Sequence, residues 1–246
     1  MHLSEPLPDE NEIRAGYAQM WRQGALDLAG GVVDADPIPD DGSKRWGLSI
    51  IARVPPECAA LFTGVTDILR PWTGTDHTFY DATTLHTTVR SCEFYRSPIA
   101  EDDAALLDYG RALNEVAAQI PPFSVLYRGL AANRTGIILQ GFPQSKHLQH
   151  LRRLLHGRLR QPEPTGGPEA EQVRRGAHVS LAVFAGPLSD PQALVDHIER
   201  HRNHTYGTVT FTRLEVVRYH RTLRQVAVVP YTQAPLGVSG RGETQR

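Results

Sequence analysis

Two short motifs with the same chemistry occur 92 positions apart in this chain of 246 residues. The tripeptide HTT begins at His86 within TTLHTTVRSC, and the tripeptide HVS begins at His178 within GAHVSLAVF. Each lies in an alternating pattern that predicts a β-strand. Because side chains alternate between the faces of a strand, His86 and Thr88 share one face, and His178 and Ser180 share one face of the second strand. Two such strands side by side would place two imidazoles and two hydroxyls around one small volume.

This set of side chains suits the cleavage of a phosphodiester. The reaction needs a base to activate water, an acid to protonate the leaving oxygen, and donors for the nonbridging oxygens. An unperturbed imidazole titrates near ~6.5, so either histidine can serve as the acid or the base at neutral pH. The hydroxyls of Thr88 and Ser180 can donate to the phosphoryl oxygens. The two motifs therefore supply every part of a metal-free mechanism.

Strand alternation extends the predicted site beyond the motifs. Arg90 lies two positions beyond Thr88, so we expect it on the same face, where its guanidinium would bind phosphate. Phe184 is expected on the face of Ser180, where its ring would stack on a base. Arg134, just before a strand, is a candidate contact at the rim. The candidate base-stacking aromatics are Trp72, Phe79, Tyr80, Tyr95, Tyr127 and Tyr206.

The segments around the two motifs follow the same order in each half of the chain. A strand pattern, at WGLSIIARV and at RTGIILQGF, is followed by a helix pattern and then by the histidine strand. The spacings agree, since 38 positions separate Leu48 from His86 and 41 separate Ile137 from His178. A second helix and further strands follow each motif. We therefore predict an α+β fold with two similar lobes of mainly antiparallel sheet, flanking helices and an active cleft between the lobes.

Composition divides the chain into three regions. Residues 1–45 are predicted to form a helical extension and a loop, because a helix-forming segment is followed by GGVVDADPIPDDGSK. Residues 46–232 are predicted to form one bilobal domain, with sequence halves at about 46–130 and 135–232. Residues 233–246 lack periodicity and are expected to be a disordered tail.

The segment that precedes the second motif has a distinct composition. Residues 161–176 are rich in Pro, Gly and Glu and are expected to form a mobile loop, either a lid over the site or a solvated connector. Basic residues cluster around it. They are interpreted as a solvated helix face, or, if they line the cleft mouth, as contacts that favour an oligonucleotide over a mononucleotide. The cluster comprises Lys146, Arg152, Arg153, Arg158, Arg160, Arg174 and Arg175.

Composition also limits the partners and the compartment. With 26 Lys and Arg against 27 Asp and Glu, the net charge is −1, which does not favour binding to long duplex nucleic acid but permits a short anionic substrate. Cys58 and Cys92 are too few for a disulfide framework and suit a reducing compartment. The N-terminal stretch is polar and acidic, and no run approaches the ~18 apolar residues of a membrane span. We expect a cytoplasmic monomer that has no cofactor and does not bind membranes.

Two other interpretations stay open. His197, His201 and His204, and likewise His147 and His150, have spacings that can bind zinc, so a His-ligated metal-dependent hydrolase is one alternative. Both segments are polar and lack an acidic ligand in a known zinc pattern, which favours solvated helix faces. The other alternative is a non-catalytic module that binds a nucleotide or an RNA end in the same cleft. Two titrating histidines favour catalysis, since binding alone does not require them.

The paired motifs resemble those of the 2H phosphoesterase superfamily. This family includes bacterial RNA 2′,3′-cyclic phosphodiesterases (2′-5′ RNA ligases), plant cyclic phosphodiesterases and eukaryotic enzymes that trim RNA ends. The resemblance covers about Trp46 to Tyr231. It implies a bilobal α+β fold with pseudo-twofold symmetry, motif strands that face each other across a cleft, and no metal requirement. By position, it implies that His86 and His178 are the acid and base, and that Thr88 and Ser180 bind the phosphate of a nucleotide or short RNA.

Overall fold

The computed structural model describes residues 9–159, 169 and 174–237. Within them lie five helices and nine strands. The helices are α1 (Glu10–Ala29), α2 (Pro56–Thr73), α3 (Ala104–Ala117), α4 (His147–Arg158) and α5 (Pro191–Arg200). The strands are β1 (Ser49–Arg53), β2 (Thr78–Phe79), β3 (His86–Ser91), β4 (Phe123–Asn133), β5 (Gly136–Pro143), β6 (Val179–Val183), β7 (Thr205–Phe211), β8 (Arg213–Arg221) and β9 (Val226–Pro235). Most of the predicted loop at 161–176 lies outside the described residues.

Aspartates begin three of the helices. The carboxylates of Asp9, Asp103 and Asp190 accept hydrogen bonds from backbone N–H groups in the first turns of α1, α3 and α5, at 2.9, 2.9 and 3.0 Å. Each bond satisfies a donor that the helix itself leaves unpaired. Helix α2 instead begins at Pro56, whose fixed φ suits the first helical position. Local sequence therefore sets where these helices start.

The described strands form one sheet whose neighbours are all antiparallel. Its order is β7-β4-β5-β6-β3-β1-β8-β9, and β2 pairs with β6. The sheet has two lobes, which meet where β3 pairs with β6 through a single residue pair, Thr87 with Val179. These are the middle residues of the two motifs. The predicted α+β fold with two lobes is confirmed, and the motifs lie at the junction of the lobes.

Each lobe combines strands from both halves of the sequence. Strand β4 comes from the first half but lies beside β5 in the second lobe, whereas β8 and β9 come from the second half and extend the first lobe beyond β1. A short turn explains the position of β4, because strands joined by a tight turn commonly pair with each other as a hairpin. Only two residues link β4 to β5. The helices also cross between lobes, since α2 follows β1 but packs against β6 and β7.

The prediction of a disordered tail from residue 233 differs from the structure at residues 233–235. These residues complete β9 and pair with β8, and Ala234 and Leu236 are buried. Pairing with β8 supplies backbone partners that the sequence pattern did not reveal. Residues 238–246 of that tail lie outside the described residues.

None of the helices within residues 9–159 and 174–237 combines sufficient length with sufficient apolar character to cross a bilayer. Both cysteines, Cys58 and Cys92, are free thiols.

Candidate active site

All four motif side chains line one cavity of about 270 Å³. His86 and Thr88 come from β3, Ser180 comes from β6, and His178 lies one residue before β6. The other lining residues are Lys44, Arg45, Trp46, Gly47, Ser49, Tyr80, Ser91, Glu93, Arg174 and Tyr219. The antiparallel contact between β3 and β6 therefore brings together two imidazoles and two hydroxyls that are remote in sequence.

Both motif strands contain a β-bulge at the same place. In β3, Thr88 and Arg90 oppose consecutive residues of β1, so Val89 is the extra residue. In β6 the register shift against β5 makes Leu181, directly after Ser180, the extra residue. A bulge breaks the two-residue alternation, so side chains beyond it turn to the other face. The repeat thus extends from the side chains of the two motifs to the backbone that follows them.

The imidazole of His86 is held in one tautomer. Its Nδ1 lies 2.7 Å from the carbonyl oxygen of Thr84, and because a carbonyl only accepts, Nδ1 carries the hydrogen. The lone pair is therefore on Nε2, which accepts a hydrogen bond from the hydroxyl of Tyr219 at 3.1 Å. Tyr80 packs edge-on against the same ring, with the ring centroids 5.7 Å apart. Burial lowers the pKa of His86 to about 4, so the ring is neutral at pH 7.

Positive charge surrounds His178. Burial is the main cause that lowers its pKa to about 3, and the guanidinium groups of Arg174 and Arg152 lower it further. Both histidines are therefore neutral in the ligand-free protein at neutral pH. A bound anion opposes these effects and raises both pKa values.

The cavity wall carries three cationic side chains and one carboxylate. Lys44, Arg45 and Arg174 line it together with Glu93. Glu93 is already neutralised, since its two oxygens bind Arg96 at 2.8 Å and the Tyr109 hydroxyl at 3.0 Å. Arg45 and Arg174 are paired as well, with Asp36 at 3.4 Å and with Glu169. Among the lining residues themselves, three cations exceed one carboxylate, which favours an anionic ligand.

Arg174 is fixed at the edge of the cavity by contacts on two sides. It forms an ion pair with Glu169 and donates to the hydroxyl of Ser91 at 3.2 Å. Its Nε donates to Glu169 and its Nη2 to Ser91, and the remaining N–H groups of the guanidinium can donate to an anion in the cavity. The ion pair with Glu169 also sets the direction of the guanidinium.

A buried arginine, Arg152, donates hydrogen bonds to backbone carbonyls near both motifs. Arg152 is 2% exposed and donates to the carbonyls of Thr88 and Val89, at 3.0 and 3.2 Å, which are the carbonyls at the bulge of β3. It also donates to the carbonyl of Arg174 at 3.0 Å, in the segment that leads to His178. One guanidinium thus fixes the backbone on both sides of the site, because its rigid geometry serves several acceptors at once.

Comparisons with known proteins bear on the fold. No family model matches the sequence, and no curated protein is significantly similar to it. The structure is similar to that of TT0787 of Thermus thermophilus, with a TM-score of 0.60 and 14% identity over 78% of this chain and 99% of that one. It is also similar to a protein described as a phosphoesterase, with a TM-score of 0.50 and 11% identity over 78% and 98% of the two chains. The fold of this chain is therefore similar to the folds of TT0787 and of this phosphoesterase.

A third solved structure is Escherichia coli LigT complexed with 3′-AMP. It has a TM-score of 0.49 and 13% identity, with 78% of this chain and 98% of that one covered.

Arg90 and Phe184, which were predicted as substrate contacts, do not lie in the cavity wall. The expectation that Arg90 shares a face with Thr88 was wrong, because the bulge turns Arg90 toward α4, where its Nη1 lies 3.1 Å from Nδ1 of His156. Ser91 lines the cavity in its place. Phe184 is fully buried and packs against the ring of His77, at a centroid distance of 5.4 Å, so it has no surface on which a base can stack.

Of the remaining candidates, Arg134, Tyr95 and Tyr127 do not line the cavity. Arg134 is on the β4–β5 turn and pairs with Asp27 at 3.0 Å. Tyr95 lines a separate small cavity beside Arg96 and Ser97. Tyr127 is fully buried beneath the motifs, and its hydroxyl lies 2.5 Å from Oγ1 of Thr87. Of these aromatic candidates, Tyr127 supports the junction of the lobes and Tyr80 lies in the cavity wall.

Eight residues of the cavity wall were not predicted as site residues, namely Lys44, Arg45, Trp46, Gly47, Ser49, Ser91, Glu93 and Tyr219. Lys44, Arg45 and Trp46 come from the loop after α1, and Tyr219 comes from β8, 133 positions after His86. No local pattern marks them, because a strand or loop residue meets the motifs only through the sheet order. Arg174 had been singled out only within a basic cluster.

The histidines with zinc-like spacing, His197, His201 and His204, contact one another through their rings. The rings of His197 and His201 stack with centroids 4.1 Å apart, and His201 meets His204 edge-on at 5.9 Å. Across the part of the chain that the structure describes, no three His, Cys, Asp or Glu side chains form a group that could hold a metal ion.

Proposed function

We propose that this protein is a metal-independent phosphodiesterase that hydrolyses a 2′,3′-cyclic phosphate or a related 2′-linked nucleotide or RNA phosphodiester. The main observation in support is that His86, Thr88, His178 and Ser180 all line one cavity, which is also lined by cationic side chains. This arrangement supplies two proton-transfer groups, two hydroxyl donors and positive charge around one position. The likeness in fold to a protein described as a phosphoesterase, together with the resemblance of the paired motifs to those of the 2H phosphoesterases, supports the same activity class.

The reacting phosphoryl group sits between the two histidines. One imidazole takes a proton from water as the water oxygen forms its bond to phosphorus. The other imidazole donates a proton to the ester oxygen as the bond between that oxygen and phosphorus breaks. Thr88 and Ser180 donate to the nonbridging oxygens, and Arg174 neutralises the charge that these oxygens carry. The products are a phosphomonoester and a free hydroxyl.

Binding of the substrate leads to protonation of the histidine that acts as the general acid. In the ligand-free protein both histidines are neutral, with pKa values of about 4 and about 3. A phosphodiester anion placed between them favours the charged imidazolium and raises its pKa. One histidine therefore takes up a proton when the substrate binds, while the other keeps its lone pair for water. Binding and activation are coupled in this mechanism.

Size and charge favour a small substrate. The cavity of about 270 Å³ is near the lower end of the usual range for small-molecule sites. Three cationic side chains, Lys44, Arg45 and Arg174, line it, and the net charge of the whole chain is −1. These features suit a single phosphodiester in a nucleotide or at the end of a short RNA.

The test is hydrolysis of nucleoside 2′,3′-cyclic phosphates in the presence of a chelator. We expect wild-type turnover to persist, because side chains supply both the proton transfers and the positive charge. His86→Ala and His178→Ala should each reduce turnover by ~100-fold or more. The matched control is His220→Ala, an exposed histidine on β8, which should retain wild-type rates. Near-normal turnover in either cavity variant, with folding intact, would contradict the proposal.

A change of leaving group separates the two proton-transfer roles. A phosphodiester with an aryloxide leaving group needs no protonation of the departing oxygen. One of the two alanine variants should recover activity on this substrate, and that variant lacks the acid. Tight binding of a cyclic nucleotide without turnover would instead indicate a non-catalytic nucleotide-binding module.

A further inference from the structure

A second cavity of about 160 Å³ opens beside the first. The two share His178, Ser180 and Arg45, so a ligand in one reaches the other without crossing the protein interior. The side cavity lies between α1 and the β4–β5 turn. It is therefore a continuation of the proposed reaction site toward the N-terminal helix.

Arg45, His178 and Ser180 form the polar part that the side cavity shares with the first cavity, and the rest of the side cavity combines an apolar lining with a second polar end. Met20, Ile138 and Val183 contribute apolar surface. At the second polar end, Oδ1 of Asn133 accepts from both the backbone N–H and the hydroxyl of Thr135, each at 2.9 Å. These two bonds orient the amide, so its Nδ2 is a donor and the Thr135 oxygen is an acceptor for a ligand.

Close packing fixes the wall that α1 provides. A Cβ atom on Gly24 would lie 2.1 Å from the carbonyl oxygen of Ala132, so the helix backbone rests directly on β4. The indole of Trp21 donates to Glu199 of α5 at 2.5 Å. The side cavity is consequently part of the folded protein and forms before any ligand arrives.

Acidic side chains near α1 limit which chemical groups of a ligand can extend beyond the side cavity. A third cavity continues from Met20, Asn133 and Thr135 and carries Asp27 and Asp34 in its wall. Arg134 also lines this third cavity and is paired with Asp27 at 3.0 Å, so the carboxylate of Asp34 leaves its wall with one net negative charge. That charge disfavours a second phosphate in this direction. An uncharged group therefore fits beside His178 better than a continuing polyanion.

We infer that the side cavity binds the heterocyclic base of a nucleotide whose phosphate lies between His86 and His178. A nucleobase has two apolar faces and one edge of donors and acceptors, which matches the apolar walls and the Asn133–Thr135 end. An alkyl chain would leave that polar end unpaired. The inference rests on the proposed function for the position of the phosphate.

Equilibrium binding on the full chain tests the inference independently of turnover. Calorimetry with adenosine 2′-monophosphate, inorganic phosphate and hexyl phosphate compares the base, the phosphate alone and an apolar substituent. Wild type should bind the nucleotide at least ~10-fold more tightly than either other probe. Met20→Trp, which fills the side cavity, should weaken nucleotide binding by ~10-fold and leave phosphate binding unchanged. Leu26→Trp, at a 72% exposed position of the same helix, is the matched control and should bind all three probes like wild type.

A second variant keeps the test decisive if Met20→Trp fails to fold. Thr135→Val removes one hydroxyl with little change of volume and should weaken nucleotide binding but not hexyl phosphate binding. The inference is overturned if wild type binds the nucleotide no more tightly than phosphate, if hexyl phosphate binds as tightly as the nucleotide, or if the folded variants bind the nucleotide like wild type. Loss of the proposed function is a separate result, in which the nucleotide binds with this selectivity but no phosphodiester is hydrolysed.

Discussion

At the scale of single residues, the main feature is a pair of histidines that are buried without charge. The carbonyl of Thr84 fixes the proton of His86 on Nδ1, while burial and nearby guanidinium groups keep His178 neutral. Two neutral imidazoles beside arginine guanidinium groups form a site that is suited to binding an anion. An anion that enters therefore changes both the charge balance and the protonation of the pair.

Anion binding is consequently expected to take up protons. Sulfate is a suitable probe because it does not titrate between pH 5 and 7. Its charge raises the histidine pKa values from about 4 and about 3, so the complex holds more protons than the free protein. Sulfate should bind more tightly as the pH falls from 7 to 5. Calorimetry in two buffers with different ionisation enthalpies measures the uptake directly.

The control for this experiment removes the two titrating rings. A variant with His86→Asn and His178→Asn should show no uptake, whereas His220→Asn should behave like wild type. Equal uptake in all three proteins would assign the proton to another group.

At the scale of elements, the strands and helix α1 position the site through close backbone contacts. The bulges after Thr88 and Ser180 end the alternation at corresponding places in β3 and β6. Helix α1 lies on β4 at Gly24, where there is no room for a side chain. The site depends on these backbone positions as much as on its own side chains.

Two glycines of α1 provide a matched test of this packing. Gly24→Ala places a methyl group against the backbone of Ala132 and should lower the free energy of unfolding by about 1–3 kcal/mol. Gly16→Ala has no heavy atom within 4 Å of the new methyl group and should raise it by about 0.5–1 kcal/mol through lower backbone entropy in the unfolded state. Urea denaturation measures both. A gain in stability at Gly24 would show that α1 does not rest on β4 as described.

At the scale of the whole molecule, burial of neutral histidines makes stability depend on pH. His86, His178 and His197 have pKa values of about 4, 3 and 4 in the folded protein, below the value near ~6.5 of the unfolded chain. As the pH falls below ~6.5, the unfolded chain takes up protons that the folded protein does not. The free energy of unfolding therefore falls on acidification, and the loss continues until the folded pKa values are reached.

This linkage predicts a measurable loss between pH 7 and pH 5. Each of these histidines should contribute a loss of roughly 1–2 kcal/mol over that window, before the carboxylates titrate. Urea denaturation at the two pH values measures the total. The double variant His86→Asn and His178→Asn should lose less stability than wild type, and sulfate should reduce the loss in wild type. An identical loss in the double variant would mean that these two rings are not buried in the neutral form.

Local periodicity was enough to predict much of the protein. The pattern of apolar residues located the helices and the two histidine strands, and the repeated motif predicted that His86, Thr88, His178 and Ser180 would share one site. These predictions depend on neighbours within a few residues along the chain. The α+β class and the two lobes follow from the same repeated order.

The tertiary structure decided which other groups reach the cavity. Bulges replaced Arg90 with Ser91, and the sheet order brought Tyr219 to His86 from a strand 133 positions away. The loop after α1 supplied Lys44 and Arg45. A strand's two-residue period fixes a face only while its pairing is regular, and pairing is a property of the partner strand. For this reason the sequence alone was enough to predict the two histidine motifs of the proposed site, whereas only the fold determined which side chains surround them.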